Sequence, residues 1–219
     1  MKKLLFFVLF FGSVFCIGSF AITENSTAEL TFLAKSNDGV VVGLYPLGTF
    51  DKELLKLLQG EVQFFYKIKV LVMEGSALPQ KAFYSPRNRY RADTLLDYLL
   101  QVRPKNIDYM VGLTEKDISC TNGKYADWGV FGLGFMPGRS CVISTHRLHF
   151  GQKSLVHFQE RISKVVIHEL GHNFGLDHCT NPNCIMHDAE GTIKSVDHEK
   201  KALCAECKKI LEKKLKSGN

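Results

Sequence analysis

Beyond residue 22 the chain has no apolar run long enough to cross a bilayer, so the bulk of the protein is not expected to span one. It also lacks internal repeats, low-complexity tracts and Pro/Gly/Ser-rich linkers, which excludes solenoid arrays and a string of small domains. Disorder is excluded by composition, because 45% hydrophobic and 23% charged residues are ordinary globular values. The basic tail His198–Asn219 carries seven lysines against Glu199, Glu206 and Glu212, but no aromatic residue is interleaved for base stacking. It reads as a solvated helix face, and no nucleic-acid partner is expected.

What is present begins with Lys2 and Lys3 ahead of an apolar run from Leu4 to Ile22. This has the form of a secretory signal peptide over residues 1–21, with Ser19-Phe20-Ala21 as the small-residue cleavage site. The run is long for a signal, so an uncleaved N-terminal anchor is the alternative. Either way the domain is expected outside the cytoplasm, secreted or periplasmic. The formal net charge of +6 becomes +4 without Lys2 and Lys3. Residues 22–219 suffice for one domain with a sizeable core, and a monomer is the expectation.

Gly39–Leu47, Tyr66–Met73 and Ile107–Leu113 read as strands, separated by helices over Asp51–Gln59, ending at Gly60, and Arg91–Val102. Thr114 reads as a helix cap. Strands alternating with helices imply right-handed crossovers and an α/β fold with a mixed, mainly parallel sheet. Trp128–Phe135 and Val142–Thr145 are further strands. Gly129, Gly132 and Gly134 suit the first of them to an edge where another backbone approaches closely. A long helix over Ser154–Phe174 places Leu155, Phe158, Ile162, Val165 and Val166 towards the core. A terminal helix from about Asp197 groups Leu203, Ile210, Leu211 and Leu215 on one face.

The chemistry concentrates in His168-Glu-Leu-Gly-His172-Asn-Phe-Gly175-Leu-Asp-His178. Residues four apart share a helix face, so His168 and His172 can present both imidazoles to one cation. Glu169 lies one position round, within reach of an attacking water as its base. Gly175 permits the left-handed stop that ends the helix and turns His178 back as a third ligand. Three protein ligands with an open fourth position are what a catalytic zinc requires. A bare HExxH arises by chance in roughly one per cent of chains this size. The glycine and third histidine at fixed offsets make coincidence far rarer.

Seven cysteines fall unevenly. Cys179, Cys184, Cys204 and Cys207 form two close pairs with metal spacing, suited to a closed tetrahedral thiolate site that pins the terminal helix beside the catalytic loop. Two disulfides are the alternative in an exported chain.

The extended zinc motif followed by Met186 resembles the metzincins, and Met186 corresponds to the methionine of their Met-turn. More narrowly, His178-Cys179-x4-Cys184-x-Met186-x17-Cys204-x2-Cys207 resembles the archaemetzincin signature over its whole length. Leu78–Phe83, Arg87–Ala92, Gly112–Thr114 with Asp117, and Trp128–Phe135 are similar more loosely. The resemblance implies a metzincin-like zincin fold with an antiparallel edge strand and a long active-site helix. It also implies zinc peptidase activity with Glu169 as base, peptide or protein substrates, and a second, structural zinc on the four cysteines, so two Zn(2+) per chain. Peptide is then expected to lie extended along an edge strand, with Gly129, Val130, Phe131, Gly132, Leu133 and Gly134 as candidates, their glycines leaving the backbone accessible. A tyrosine that some metzincins place two residues after the Met-turn methionine is replaced by Asp188. That leaves Tyr125, His146 and His187 as candidates to stabilise the oxyanion. Between Ala21 and Val40 there is no cysteine to block the zinc, and no room for a folded prosegment is expected there. Cys120 and Cys141, left over once four thiols go to zinc, are expected to form a disulfide, with two separate buried thiols as the alternative. A zinc-binding module that recognises peptide without cleaving it is the competing reading; retention of Glu169 argues for the enzyme.

Overall fold

The computed structural model describes residues 39–188 and 192–216. In chain order they form β1 (Val41–Pro46), α1 (Lys52–Tyr66), β2 (Lys69–Val72), β3 (Phe83–Tyr84), β4 (Arg89–Arg91), α2 (Ala92–Val102), β5 (Tyr109–Thr114), β6 (Ile118–Asn122), β7 (Tyr125–Val130), β8 (Gly132–Gly134), β9 (Ser140–Ser144), α3 (Leu155–Asn173), α4 (Ile193–His198) and α5 (Ala205–Lys216). Residues 1–21, expected from the sequence to form a signal peptide, lie outside the described residues. Among the described residues, no helix is long and apolar enough to cross a membrane.

The larger sheet has the order β2-β1-β5-β9-β8, and the smaller one β3-β4-β6-β7. In the larger sheet β2, β1, β5 and β9 pair in parallel, and only the edge strand β8 runs antiparallel to its neighbour. The mainly parallel sheet with an antiparallel edge is therefore as expected. Every residue of β5 and β9 is buried, which is why Tyr109–Leu113 and the centre of β9, Cys141–Ile143, read as apolar runs. Their side chains alternate between two cores. Val111, Leu113 and Ile143 face α1 and α3, while Met110 and Val142 face the leucines of α2.

Several elements end elsewhere than their sequence suggests. α1 does not stop at Gly60 but runs on to Tyr66, burying Val62 and Tyr66. A glycine inside a helix costs about 0.5–1 kcal/mol, whereas burying each of those side chains contributes roughly 1.5–3 kcal/mol. Lys67, at φ 55°, makes the stop instead. Thr114 ends β5 and caps no helix; its Oγ1 accepts from the Lys116 N–H at 3.2 Å ahead of the β6–β7 hairpin. Leu155 is the first residue of α3 and is 66% exposed, so the core-facing stripe starts at Phe158. The terminal helix is two helices, α4 and α5. Leu203 precedes the second, and Ile210 faces solvent.

Candidate active site

α3 is started by Ser154, whose Oγ accepts from the His157 N–H at 3.1 Å. It carries His168 and His172 one turn apart. Gly175 takes φ +84°, a conformation that disfavours any side chain. Around it the His172 carbonyl accepts from the Gly175 N–H at 2.8 Å and the Gly171 carbonyl from the Leu176 N–H at 3.0 Å. The chain reverses there and returns His178 to the other two. The three ring centroids lie 4.7, 4.8 and 5.5 Å apart, and one ligating nitrogen from each ring falls within 4.8 Å of the others.

The hydrogen bonds of these rings decide which nitrogens are free. His168 Nδ1–H donates to the Ile185 carbonyl at 2.7 Å and His172 Nδ1–H to the Leu176 carbonyl at 2.8 Å. Each ring therefore turns its Nε2 lone pair inward, and the two Nε2 atoms face one another across 3.0 Å. Two lone pairs at that separation repel unless a cation lies between them. Burial and the neighbouring His172 hold the pKa of His168 down at about 4, so the ring is neutral and ready to ligate. Carbonyl-oriented imidazoles of this kind are how proteins fix a metal-binding tautomer. The three residues fit a zinc ion. Glu169 is partly buried, and with no cation beside it burial alone pushes its carboxyl up to about 8; a metal ion on the histidines would favour the ionised form, which can accept a proton.

Met186 is fully buried beneath the histidines, and its carbonyl accepts from the Cys179 N–H at 2.8 Å. A Cβ on Gly171, between the two helical ligands, would lie 2.5 Å from Met186 Sδ, so only glycine lets the methionine sit there. Tyr66, buried at the end of α1, donates its hydroxyl to the Ile167 carbonyl at 2.6 Å. Neither Gly171 nor Tyr66 stood out in the sequence, since a glycine inside a helix and a tyrosine beside a strand are common.

Cys179, Cys184, Cys204 and Cys207 place their four sulfurs within 4.8 Å of one another. All four are free thiols, and Cys179 and Cys204 have their sulfurs 3.7 Å apart, against about 2.05 Å in a disulfide. The backbone N–H groups of Asn181 and Cys204 point at Cys179 Sγ and Cys184 Sγ, each at 3.4 Å. Burial pushes the Cys207 thiol well up, and its three neighbours add to this. Four thiolates share such a space only around a cation, so this donor set too fits zinc. Cys204 precedes α5 and Cys207 lies on its first turn, so the pair ties the helix to the loop that carries His178.

A cleft of about 650 Å³ runs past the histidines, walled on one side by Val130 to Gly134 and at its rim by Trp128. The segment expected as one strand is two: β7 pairs with β6 in the smaller sheet, and after Phe131 the chain joins the larger sheet as β8 against β9. The glycines have different tasks. A Cβ on Gly132 would lie 2.6 Å from Glu169 Cγ, and one on Gly134 2.9 Å from the Glu169 carbonyl oxygen. They are needed because β8 lies so close to α3. A Cβ on Gly129 would instead enter the Arg147 guanidinium, which is held by Asp117 at 2.7 and 3.0 Å. Leu133 and Val130 anchor the segment in the core under α2, and Phe131 in the other core. β8 pairs with no strand on its outer edge among the described residues.

The expected Cys120–Cys141 bridge is not formed; both are free buried thiols. Cys120 belongs to the smaller sheet and lines the cleft, whereas Cys141 sits between β5 and β8 in the main core. Bracketing the same segment in sequence did not bring them together. Of the oxyanion candidates, Tyr125 packs on Trp128 while exposed, His146 packs on Phe150, and His187 makes a backbone bridge with Cys179. None of the three lines the cleft.

Residues 51–213 match the profile of Peptidase family M54. The archaemetzincin of Haloquadratum walsbyi is 32% identical over 179 residues, covering 78% of this chain and 99% of that protein. The crystal structure of archaemetzincin from Methanopyrus kandleri superposes with a TM-score of 0.71 at 28% identity, covering 82% of this chain and 97% of that one. A zinc-dependent peptidase from Methanocorpusculum labreanum gives a TM-score of 0.63 at 25% identity, covering 78% of this chain and 99% of that one. With the histidine triad, the acid beside it and the thiol cluster already in place, these matches identify the chain as a zinc metallopeptidase belonging to peptidase family M54, the archaemetzincins.

Proposed function

We propose that the protein hydrolyses peptide bonds outside the cytoplasm, in extended peptides or exposed protein segments, with Glu169 as the general base. The observation that carries this is the meeting of three neutral-capable imidazoles and Glu169 in one cleft beneath a free strand edge. Zinc on His168, His172 and His178 would polarise the scissile carbonyl and make water acidic enough to lose a proton near neutral pH. Glu169 takes that proton as the water attacks, then returns it to the leaving amine. The outer edge of β8 offers backbone N–H and C=O groups to an extended substrate. Cys179, Cys184, Cys204 and Cys207 would hold a second zinc, which would leave no position for substrate and would serve to hold the fold.

Export rests on Lys2, Lys3 and the apolar run from Leu4. Fractionation of expressing cells, with N-terminal sequencing of the mature chain, tests it; a cytoplasmic, unprocessed product would overturn it. For the reaction, Glu169→Gln should abolish peptide hydrolysis while zinc content stays at the parent value. A parent protein that binds peptides but cleaves none would make it a recognition module.

A further inference from the structure

The cleft does not stop at the histidines. Lys164 precedes His168 by one helical turn, as His168 precedes His172, so the three share one stripe of α3. Lys164, Val165, Val196, Asp188 and Glu199 line the cleft at that end. Lys164 is 6% exposed, and its ammonium donates to the carbonyls of Val196 at 3.0 Å and Asp197 at 3.4 Å. Glu199 is also only 6% exposed, yet its Oε1 has no hydrogen-bond partner. A buried acceptor without a donor carries its desolvation cost uncompensated. Such an oxygen at the wall of a substrate cleft is a group whose donor arrives with the ligand.

Glu199 is firmly placed. Its N–H donates to the Ser195 carbonyl at 3.0 Å, and the preceding helix α4 is clamped to α3 by Arg161, which grips Asp197 at 2.7 and 2.8 Å. Between this carboxyl and the histidines, Val165 and Val196 supply an apolar wall. The lining residues include four acids, Glu169, Asp177, Asp188 and Glu199, against the one cation Lys164, which gives two donors to backbone carbonyls and whose charge also acts on Glu199.

We propose that Glu199 sets substrate specificity: it receives the ammonium or guanidinium of a lysine or arginine that the peptide carries next to the scissile bond. This rests on the peptidase reading above. A long basic side chain matches the lining, because its methylene stem packs on the valines while its charged head reaches the carboxylate. A neutral donor such as glutamine fits the oxygen but not the acidic surroundings, and an acidic side chain would meet two carboxylates, Asp188 and Glu199. Burial lifts Glu199 to about 7 against the opposing pull of the Lys164 ammonium, and an arriving second cation would favour its ionised form further.

The test uses zinc-loaded full-length protein and one peptide series differing only at the residue beside the cleaved bond: Lys, Arg, norleucine, Gln or Glu. A charge-assisted hydrogen bond in a desolvated site predicts that kcat/KM for Lys exceeds that for norleucine by about tenfold or more. In Glu199→Gln that ratio should fall by about tenfold, and in Glu199→Lys the Glu peptide should overtake the Lys peptide. Because each ratio is internal to one protein, a partly unfolded variant does not disturb it. Absence of a basic preference in the parent, or a ratio held within about twofold in Glu199→Gln, overturns the proposal. Fluorescence anisotropy of the same labelled peptides on zinc-loaded Glu169→Gln protein separates the two readings. Tighter binding of the Lys peptide, lost on adding Glu199→Gln, supports Glu199 even where the parent cleaves nothing. Cleavage without basic preference refutes Glu199 and leaves the peptidase reading intact.

Discussion

A single methyl group on Gly132 reaches the proposed base. The Cβ would lie 2.6 Å from Glu169 Cγ, 2.9 Å from Oε1 and 3.0 Å from Cδ. Carbon–carbon contact is comfortable only from about 3.5 Å, so the Glu169 side chain must retreat by roughly 1 Å. The backbone at Gly132 does not have positive φ, so alanine is not strained there. The displaced group is a flexible side chain, and the fold has an inexpensive way to yield. A misplacement of about 1 Å in a catalytic group costs on the order of 10²-fold in rate. Gly132→Ala should therefore lower kcat about a hundredfold, with zinc content by elemental analysis and the thermal midpoint close to the parent. Because the clash is with Glu169, the same substitution in a Glu169→Gln background should cost nothing further in residual activity. A kcat within threefold of the parent refutes the reasoning. So does an equal loss in both backgrounds, which would mean that β8 was damaged as a substrate platform. Valine at Gly132 would press on base and platform together and separate nothing.

Elemental analysis should find two zinc ions per chain, and a chelator should strip the open histidine site first, whereas removal of the thiolate-bound ion should unfold α5; one zinc in fully folded, untreated protein would contradict this. In metal-free protein, His168 is held at about 4 against an ordinary value of 6.5, so between those values the unfolded chain binds a proton that the folded one does not. Glu169 at about 8 and Glu199 at about 7 contribute with the opposite sign below those values, so the His168 effect is read as the urea stability of the parent minus that of His168→Gln. This difference should fall as pH drops from 6.5 towards 4, and a flat difference there would count against the buried, neutral imidazole. Asp197, held down at about 2 chiefly by its Arg161 bond, against 3.8 ordinarily, adds a loss only below the upper of those values. Arg161→Met leaves the Asp197 carboxylate with only its His157 bond at 2.8 Å and frees two carbonyls that the buried guanidinium serves at 2.8 Å. It should destabilise the protein by about 3 kcal/mol, and a urea midpoint unchanged from the parent would show that the clamp is dispensable.

The ligand set was legible because its geometry is local. Four residues on a helix make one turn in any protein, and a glycine seven residues after the first histidine can stop that helix wherever it occurs, so His168, His172, Gly175 and His178 needed no knowledge of the rest of the chain. The parallel sheet was legible for a related reason: strands buried on both faces are largely apolar, as Tyr109–Leu113 of β5 and Cys141–Ile143 of β9 are. Other features depended on what lies opposite in space. The glycines of Trp128–Phe135 read as an open strand edge, but what forbids a side chain at Gly132 and Gly134 is α3, and at Gly129 it is Arg147. Gly60 read as a helix end because its own propensity is poor, and the burial of Val62 and Tyr66 outweighed it. Cys120 and Cys141 flank one segment but belong to different sheets, and Glu199 looked like one more charge in a lysine-rich tail until α4 folded it against the cleft. Sequence alone determined the chemistry that a 3.6-residue period sets. Tertiary structure decided which backbone approaches which side chain, because close approach is a property of two distant segments and leaves no spacing in either.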